Sequence, residues 1–393
     1  MLRYGEKNRS KFPETRSDGT VDVDLTNQKY VKIWQGPQHP GVTGNMSLEL
    51  DVIGDEVMRS RTHMGYLHRG FEKLMEKRKF IQNFPLVCRI CVPEPDFNEY
   101  LYATALEKLA GVEIPDAAAW IRTLILEMSR LQGFLMWTGG QGHSFGMGTP
   151  GQWAMWARDL VLKQFEELTG ARIYHIFQLP GGVRNLLPSG FKSEMLETLD
   201  TVEDVVADIK RVLLNNAVFK KRTVGLAVIK PEWVDEYGIV GPNARAAGVP
   251  RDVRIDNPYL KYSELDIEML TETDSDVYAR TKLRIRELLQ SVNLIRQILD
   301  KVPETGEFKA EMPSMLHWKI PRGETYVKAE ATRGEFGYYV VTDGSGYPRR
   351  VNVRGPSYTH AITLLEKMLV NCNIADVAGT MVSLHTCPPE IER

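Results

Sequence analysis

Two segments far apart in the chain place a cysteine three residues before a glutamate: Cys91-Val-Pro-Glu94 and Cys387-Pro-Pro-Glu390. A thiolate is a soft ligand and a carboxylate is a hard one, so the two side chains favour different metals. The pattern is therefore a weaker indication of a metal site than two C-x-x-C motifs would be. On spacing alone, the commoner interpretation is two buried cysteines, each followed by a solvated glutamate.

Cys88 and Cys91 form a C-x-x-C pair, which is typical of a redox dithiol or of half a zinc site. The remaining cysteines are Cys372 and Cys387, so no second C-x-x-C completes a zinc site. Four cysteines in 393 residues are too few for a disulfide scaffold, and reduced thiols are expected.

Gly36-Pro-Gln-His-Pro40 predicts a rigid turn that displays His39 as a candidate acid, base or ligand. A structural histidine, hydrogen-bonded within the turn, is the commoner alternative. Residues 139–148 contain five glycines, which predicts a loop whose backbone can be approached closely. The loop lacks the Gly-Lys-Ser/Thr of a phosphate loop, and no G-x-G-x-x-G opens a βαβ unit, so nicotinamide binding by this chain is not expected.

The elements that carry these residues form an α+β pattern. Residues 46–59 alternate about a Gly-Asp turn, which predicts a hairpin. Helical periodicity predicts helices at 118–137, 151–169, 193–216 and 275–302, whereas 324–330, 337–342 and 349–354 are typical of strands and 360–370 of a helix. We expect a polar tail at 1–30 and one domain at 31–393, with a β-rich part at 31–96, a helical core at 97–302 and a β/α part at 303–393.

Composition excludes several classes of protein. The net charge is −2, so nucleic-acid binding is not expected. The sequence has no continuous apolar run of about 18 residues or more, the length that a membrane-spanning helix requires. Its polar N-terminus is unlike a signal peptide, so a cytoplasmic chain is expected. Any membrane association would come through partner subunits.

Several blocks in a fixed order resemble the forty-nine-kilodalton-type chain (the D subunit) of complex I-like respiratory oxidoreductases. The similarity extends over residues 31–393 and indicates the mainly helical large-subunit fold of [NiFe]-hydrogenases, with β-containing ends. Among such chains, the deazaflavin-linked, methanophenazine-reducing archaeal type is favoured. The blocks are Gly36-Pro-Gln-His-Pro40, Gly65-Tyr-Leu-His-Arg-Gly-Phe-Glu-Lys73, Glu107-Lys-Leu-Ala-Gly111, Asn243-Ala-Arg-Ala-Ala-Gly-Val249, Arg333-Gly-Glu-Phe-Gly-Tyr-Tyr339 and Arg354-Gly-Pro-Ser357.

The related hydrogenases hold a nickel-iron centre with four cysteines, in R-x-C-G-x-C near the start and D-P-C-x-x-C at the end. At the matching places Cys91 and Cys387 remain, while the second cysteine of each pair is Glu94 or Glu390. Hard carboxylates cannot reproduce soft bridging thiolates. The resemblance therefore implies no metal and no cofactor bound by this chain alone, and a cavity that receives a quinone or methanophenazine as substrate.

The resemblance also implies three side chains that hold a quinone, and this sequence departs at each of them. A histidine is replaced by Thr43, a tyrosine by Val92 and an aspartate by Ser144. A less polar two-electron acceptor such as methanophenazine is therefore expected, with His143 as a candidate proton source. Glu94 and His39 are the candidate catalytic residues, because burial in an apolar cavity raises the pKa of a carboxyl. The predicted pocket consists of His39, Thr43, Cys91, Val92, Ser144 and Cys387.

The resemblance places His68, Arg69, Tyr174 and His175 near a [4Fe-4S] cluster in a small iron-sulfur partner, the B-type subunit. The other implied partners are a thirty-kilodalton-type subunit (C-type), a ferredoxin-like subunit (I-type) and a membrane subunit (H-type). NADH, reduced deazaflavin or ferredoxin would supply electrons through them.

We expect a peripheral subunit of a proton-pumping respiratory enzyme on the cytoplasmic face of the membrane, forming the quinone or methanophenazine site. One alternative is the catalytic large subunit of a membrane-bound hydrogenase or a sulfur-reducing complex. The other is a scaffold without substrate contact.

Overall fold

The computed structural model describes residues 30–39 and 46–393, so nearly all of the predicted tail, and Thr43, lie outside the described residues. Strands β1 (Val31–Gln35), β2 (Ser47–Ile53) and β3 (Glu56–His63) form an antiparallel sheet in that order. Strands β2 and β3 are the predicted hairpin, and Gly54 occupies its turn with a φ of 64°.

Helices dominate the centre of the chain and confirm the four predicted ones. The predicted segments correspond to α4 (Asp116–Ser144), α5 (Gly148–Thr169), α6 (Phe191–Ile209) and α11 (Val277–Lys301), and α6 continues into a π-helical turn at Lys210–Leu214. Short helical turns at Phe80–Asn83 and Tyr262–Glu264 and a two-stranded ribbon, β4 (Gln178–Leu179) with β5 (Gly182–Val183), complete this part. The helices are α1 (Phe71–Met75), α2 (Phe84–Val87), α3 (Pro95–Ala110), α4 (Asp116–Ser144), α5 (Gly148–Thr169), α6 (Phe191–Ile209), α7 (Ala217–Thr223), α8 (Pro231–Glu236), α9 (Pro242–Ala246), α10 (Val253–Asp256) and α11 (Val277–Lys301).

The glycine-rich segment at 139–148 is not the predicted loop over most of its length, because α4 runs on to Ser144. Two of its glycines, Gly139 and Gly142, lie where α4 packs closely against the beginning of α5. A Cβ at Gly139 would lie 3.0 Å from Met155 Sδ, and one at Gly142 would lie 2.9 Å from the Met147 carbonyl oxygen. The close approach expected at this backbone is therefore made by the neighbouring helix of the same chain.

The C-terminal part contains the three predicted strands. β6 (Gly323–Ala331), β7 (Gly334–Thr342) and β8 (Pro348–Arg354) form an antiparallel sheet in that order. The predicted helix at 360–370 is present as a π-helical turn, His360–Leu364, followed by a short α-helix. The remaining helical elements are α12 (Ser357–Thr359), α13 (Leu365–Leu369), a 3₁₀ turn at Ile374–Asp376, α14 (Val377–Ser383) and α15 (Pro388–Glu392).

Apolar packing joins these parts, which confirms the predicted α+β class. The largest apolar cluster lies among α4, α5, α6 and α11, a second joins α3 to the β6–β8 sheet, and a third joins β2 and β3 to α13 and α14. Packing brings the loop before α3, the β6–β7 turn and the start of α15 together. Across residues 30–39 and 46–393, no helix combines the length and the apolar character needed to cross a membrane.

Candidate functional site

The two Cys-x-x-Glu segments meet in the interior. The Sγ atoms of Cys91 and Cys387 and a carboxylate oxygen of Glu390 all lie within 4.8 Å of one another. Glu94 and Glu390 are both fully buried, so the interpretation as solvated glutamates is wrong. Glu94 immediately precedes α3, and Cys387 immediately precedes α15. Pro95 and Pro388 occupy the first positions of these helices, where proline fixes φ without losing a helical hydrogen bond.

Arg333 lies between the two segments and was not among the predicted site residues. Its side chain is 2% exposed, and Nη1 donates to Cys91 Sγ at 3.0 Å. The same nitrogen forms a close ion pair with Glu94 and lies 3.8 Å from Glu390 Oε2. A buried cation thus stands among two thiols and two carboxyls, and its pairing satisfies a charge that burial would otherwise make costly.

Buried contacts from α4 fix the turn that presents Arg333. Arg130 donates to the carbonyl oxygens of Glu330 and Ala331, each at 2.9 Å, at the end of β6. In the turn itself, the Thr332 backbone N–H donates to Glu94 Oε1 at 2.6 Å. Gly334 takes a φ of 125°, which favours glycine.

Glu94 does not lie in the apolar surroundings that its proposed role as a proton donor assumed. Its carboxylate pairs with Arg333 and accepts hydrogen bonds from Thr332, so an ionic contact replaces the expected apolar cavity. Glu390 is the carboxyl whose pKa is raised, to about 8, because burial penalises the charged form more than Arg333 favours it. Ser357 donates to Glu390 from its backbone N–H at 2.7 Å and from Oγ at 3.0 Å.

The two thiols of the site differ in acidity. The hydrogen bond from Cys91 lowers the pKa of Cys387 to about 6, against the opposing effect of burial. Burial, and then the same hydrogen bond, raise the pKa of Cys91 well above its ordinary value. Cys387 is therefore the thiolate of the pair at neutral pH, and Cys91 keeps its proton.

Cys91, Cys387 and Glu390 offer three ligand atoms, but their surroundings do not fit a divalent metal ion. Arg333 already supplies a positive charge within hydrogen-bonding distance of Cys91 and pairs with Glu94. An ion among the three ligand atoms would face this guanidinium at close range, and one of its ligands is a hard carboxyl. The geometry therefore favours thiol chemistry over metal binding.

A cavity of about 330 Å³ adjoins the thiols. Most of its lining is apolar, and Met136, which is 38% exposed, marks where the cavity reaches the surface. The Trp137 indole N–H donates to the Val382 carbonyl oxygen at 2.7 Å and is thereby fixed in the wall. The lining residues are Val92, Pro93, Met136, Trp137, Gly140, Arg333, Val382, His385, Thr386, Cys387, Pro388 and Pro389.

Three polar atoms of the wall residues are buried without a protein hydrogen-bond partner: Arg333 Nε, His385 Nδ1 and Thr386 Oγ1. His385 adopts a φ of 56°, a strained conformation for a non-glycine residue. Burial, together with Arg333 and Arg284, holds the pKa of His385 well below its usual range, so its ring is neutral. These groups can hydrogen-bond a molecule bound in the cavity.

The predicted pocket residues are only partly brought together. Val92 and Cys387 line the cavity, and Cys91 lies beside Cys387. The Ser144 hydroxyl instead donates to the Gln141 carbonyl oxygen at the end of α4. His39 is exposed, and neither it nor Ser144 is among the described residues that line the cavity.

The position of His143 does not support its predicted role as a proton source for the cavity. It is exposed, and its Nδ1 lies 2.8 Å from the Gly139 carbonyl oxygen. Like Ser144, it is not among the described residues that line the cavity.

Tyr174 and His175 lie in a loop with strained backbone, since Tyr174 has a φ of 61°. The Arg89 guanidinium lies 5.0 Å from the centre of the Tyr174 ring. His175 is buried, its Nδ1 lies 2.7 Å from Asp96 Oδ1, and its ring stacks on Phe165 at 4.2 Å. Burial lowers the pKa of His175, but the neighbouring Asp96 carboxylate raises it by more. The pKa of His175 is therefore raised overall.

His68 and Arg69 are held by the C-terminal end of the chain and by an aromatic ring. His68 Nδ1 lies 2.6 Å from the Glu392 carbonyl oxygen, and the Arg69 guanidinium covers the Phe71 ring at 4.2 Å. Burial lowers the pKa of Arg69, while Tyr174 and Cys387 act in the opposite direction.

Sequence reasoning missed Arg333, Trp137, His385 and Thr386 as site residues. The sequence signal for His385 and Thr386 was their place directly before Cys387, and Arg333 opened one of the blocks that carry the family resemblance. Trp137 gave no signal beyond membership of an apolar helix.

Comparisons with known proteins agree on one kind of protein. The family model for the respiratory-chain NADH dehydrogenase 49 kDa subunit matches residues 144–393. The D subunit of NADH-quinone oxidoreductase from Thermosipho melanesiensis is 43% identical over 365 residues, which cover 92% of this chain and 99% of that protein. The D subunit of F(420)H(2) dehydrogenase from Methanosarcina mazei is 35% identical, with 91% of this chain and 96% of that protein covered.

A solved structure of similar shape is that of the membrane-bound sulfane sulfur reductase, an archaeal respiratory membrane complex. Its matching chain is 41% identical with a TM-score of 0.90, and the match covers 93% of this chain and 99% of that chain.

Proposed function

Because the chain belongs to the family of the respiratory-chain NADH dehydrogenase 49 kDa subunit, we propose that it forms the terminal electron-acceptor site of a membrane-bound, complex I-type oxidoreductase. The family match and the structural match confirm the family resemblance and the hydrogenase-like α+β fold that were predicted from the sequence. The similarity to subunits of NADH-quinone and F(420)H(2) oxidoreductases supports a respiratory enzyme complex.

The cavity beside Cys387 is the observation that carries this proposal. Its mostly apolar wall suits a lipophilic two-electron carrier such as a quinone or methanophenazine. His385 Nδ1 and Thr386 Oγ1 offer hydrogen bonds to a polar headgroup, because neither has a protein partner. In this proposal His385 and Thr386 take the place of the quinone-holding residues that this sequence lacks at Val92 and Ser144.

Partner subunits would supply the electrons. We place a small iron-sulfur subunit against the surface that carries His68, Arg69 and Tyr174. A contact of His68 supports this choice: its Nδ1 lies 2.6 Å from the Glu392 carbonyl oxygen in α15, the helix that begins directly after Cys387. The C-type, ferredoxin-like and H-type membrane subunits complete the proposed assembly on the cytoplasmic face of the membrane.

A second acceptor class is favoured by a specific observation. Cys387 places a thiol in the cavity wall, and a thiolate reacts readily with sulfur-sulfur bonds. The chain is also 41% identical to a chain of the sulfane sulfur reductase. Sulfane sulfur, as in a polysulfide, is therefore the second candidate acceptor for the same cavity.

Filling the cavity tests the proposal. A Cβ at Gly140 would meet Val382 Cγ1 at 3.6 Å, an ordinary contact, so Gly140→Ala is a matched control that keeps the cavity. Gly140→Leu extends a side chain into the space. The intact complex, purified from native membranes, is assayed with NADH or reduced ferredoxin as donor and a menaquinone analogue, a phenazine or tetrasulfide as acceptor.

We expect Gly140→Leu to abolish reduction of the physiological class of acceptor, while Gly140→Ala keeps it. Reduction of a hydrophilic dye by the donor-side subunits reports that both complexes are assembled. Full turnover of every acceptor by an assembled Gly140→Leu complex would show that the cavity is not the acceptor site.

A further inference from the structure

Two thiols lie beside the acceptor cavity, one in its wall and one behind that wall. Cys387 lines the cavity, whereas Cys91 is fully buried and absent from the described lining residues. Their Sγ atoms are within 4.8 Å of each other. We propose that Cys387 is a nucleophile toward sulfane sulfur bound in the cavity and that Cys91 resolves the resulting persulfide. This inference rests on the proposed acceptor site, with sulfane sulfur as the acceptor.

The other two cysteines, Cys88 and Cys372, have the surroundings of structural thiols. Cys88 Sγ lies 3.5 Å from the Pro85 carbonyl oxygen, and Cys372 Sγ lies 3.5 Å from that of Met368. Each is therefore tied to the preceding turn of its own segment. Cys387 instead faces a cavity and adjoins a second thiol, which is the arrangement that thiol-disulfide exchange requires.

Arg333 favours negative charge on sulfur at this site. Arg333 lines the cavity together with Cys387, and its charge, after the hydrogen bond from Cys91, is a further cause of the lowered pKa of Cys387. A guanidinium in this place stabilises a thiolate or a persulfide anion, because charge-assisted hydrogen bonds are stronger than neutral ones. The apolar remainder of the wall suits a chain of sulfur atoms, which offers few hydrogen-bonding groups.

In the first step, the Cys387 thiolate attacks a terminal sulfur of a polysulfide dianion. A bond forms from Cys387 Sγ to that sulfur, and the adjacent sulfur-sulfur bond breaks. The rest of the polysulfide leaves with the bonding electron pair as a dianion that is one sulfur shorter. Cys387 then carries a persulfide anion.

In the second step, Cys91 Sγ attacks Cys387 Sγ, and its proton passes to the departing sulfur. The bond between Cys387 and the added sulfur breaks, hydrosulfide leaves, and a Cys91–Cys387 disulfide remains. Two electrons, supplied singly by an iron-sulfur cluster of a partner subunit, and one proton then restore the Cys91 thiol and the Cys387 thiolate. Glu390, within 4.8 Å of both sulfurs, is placed to deliver that proton.

Trapping the intermediates tests the two roles separately. The intact complex is incubated with tetrasulfide in the absence of an electron donor, quenched in acid and alkylated, and its peptides are analysed by mass spectrometry. We expect a disulfide-linked Cys91–Cys387 peptide from the unsubstituted complex. We expect Cys91→Ala to accumulate Cys387 with one added sulfur atom, and Cys387→Ala to form neither product.

Turnover completes the test. We expect Cys387→Ala to lower tetrasulfide reduction by more than about 100-fold, because removing a covalent nucleophile removes its route. Cys372→Ala is the matched control: it removes another buried cysteine and should keep turnover and both trapped products. Donor-side dye reduction shows that each variant is assembled.

Two outcomes would overturn the inference. One is tetrasulfide reduction at the unsubstituted rate by assembled Cys387→Ala or Cys91→Ala complexes. The other is the absence of the linked peptide from a complex that reduces tetrasulfide. If Gly140→Leu still abolishes turnover in those cases, the acceptor cavity stands and only the thiol mechanism fails; if Gly140→Leu is also fully active, the cavity proposal fails with it.

Discussion

Replacement of Arg333 by methionine should destabilise the chain strongly. At neutral pH Glu390, with a pKa of about 8, is largely protonated, so the charge that Arg333 balances is mainly that of Glu94. For two unit charges about 4 Å apart, an effective dielectric constant of about 20 gives about 4 kcal/mol, and the contact between Arg333 and the charged Glu94 is closer than that. Breaking a buried pair by removing one partner costs about 3–5 kcal/mol, because the other charge is left uncompensated.

A double-mutant cycle on the full-length chain measures this pair. The free energy of unfolding in urea is followed by tryptophan fluorescence for Arg333→Met, Glu94→Gln and both together. We expect the double variant to be more stable than the two single effects predict when added, by about 1–3 kcal/mol, because it leaves no unpaired carboxylate. Arg350→Met is the control, since its side chain is 49% exposed and its ion pair with Glu76 is worth about 1 kcal/mol at most.

A loss below about 1 kcal/mol for Arg333→Met, or strict additivity in the cycle, would contradict these expectations. Either result would mean that the guanidinium does not compensate Glu94. Arg333 would then also give no reason for a metal ion to avoid the position between the two Cys-x-x-Glu segments.

Three further outcomes are expected. The folded chain keeps the Glu390 proton up to a pKa of about 8, whereas the unfolded chain loses it near the ordinary carboxyl value. The Glu390 contribution to stability should therefore fall as pH rises through this window, by up to about 1.4 kcal/mol per pH unit, and Glu390→Gln should flatten that slope in urea unfolding. Gly241→Ala should lower the free energy of unfolding by about 1–3 kcal/mol, because Gly241 has a φ of 67° and a Cβ there would lie 2.3 Å from Gly334 Cα. An unchanged free energy of unfolding would contradict this close approach of the two backbones. Elemental analysis of the intact complex should find no stoichiometric nickel, and nickel at one atom per complex would contradict the role assigned to Arg333.

Much of the fold could be predicted because its elements are locally encoded. The β2–β3 hairpin follows from strict alternation about Gly54, and α11 follows from a long apolar stripe that ends near Pro303. The glycine-rich end of α4 could not be predicted in this way. Gly139 and Gly142 are required by the approach of α5, which is a tertiary contact, and tertiary packing overrode their low helix propensity.

The candidate site was predictable only in part, because it too depends on tertiary contacts between segments that are distant in the sequence. The equivalent spacing in two segments indicated that Cys91 and Cys387 belong together, and they do lie together. The state of Glu94 depends on Arg333, which lies 239 residues later in the chain, and no local pattern reveals such a pairing. The expected rise in carboxyl pKa therefore falls on Glu390 instead, where burial outweighs the more distant guanidinium.

The charges of the site connect electron transfer to proton uptake. In the resting state Arg333 faces the Glu94 carboxylate and the Cys387 thiolate, while Glu390 and Cys91 hold protons. Formation of the proposed disulfide removes the thiolate charge, so Arg333 and Glu94 remain as a neutral pair. Two electrons entering that buried disulfide would leave two negative charges on sulfur beside a guanidinium whose charge Glu94 already balances. A proton must therefore accompany the two electrons, and burial thus makes proton uptake a condition of reducing this site.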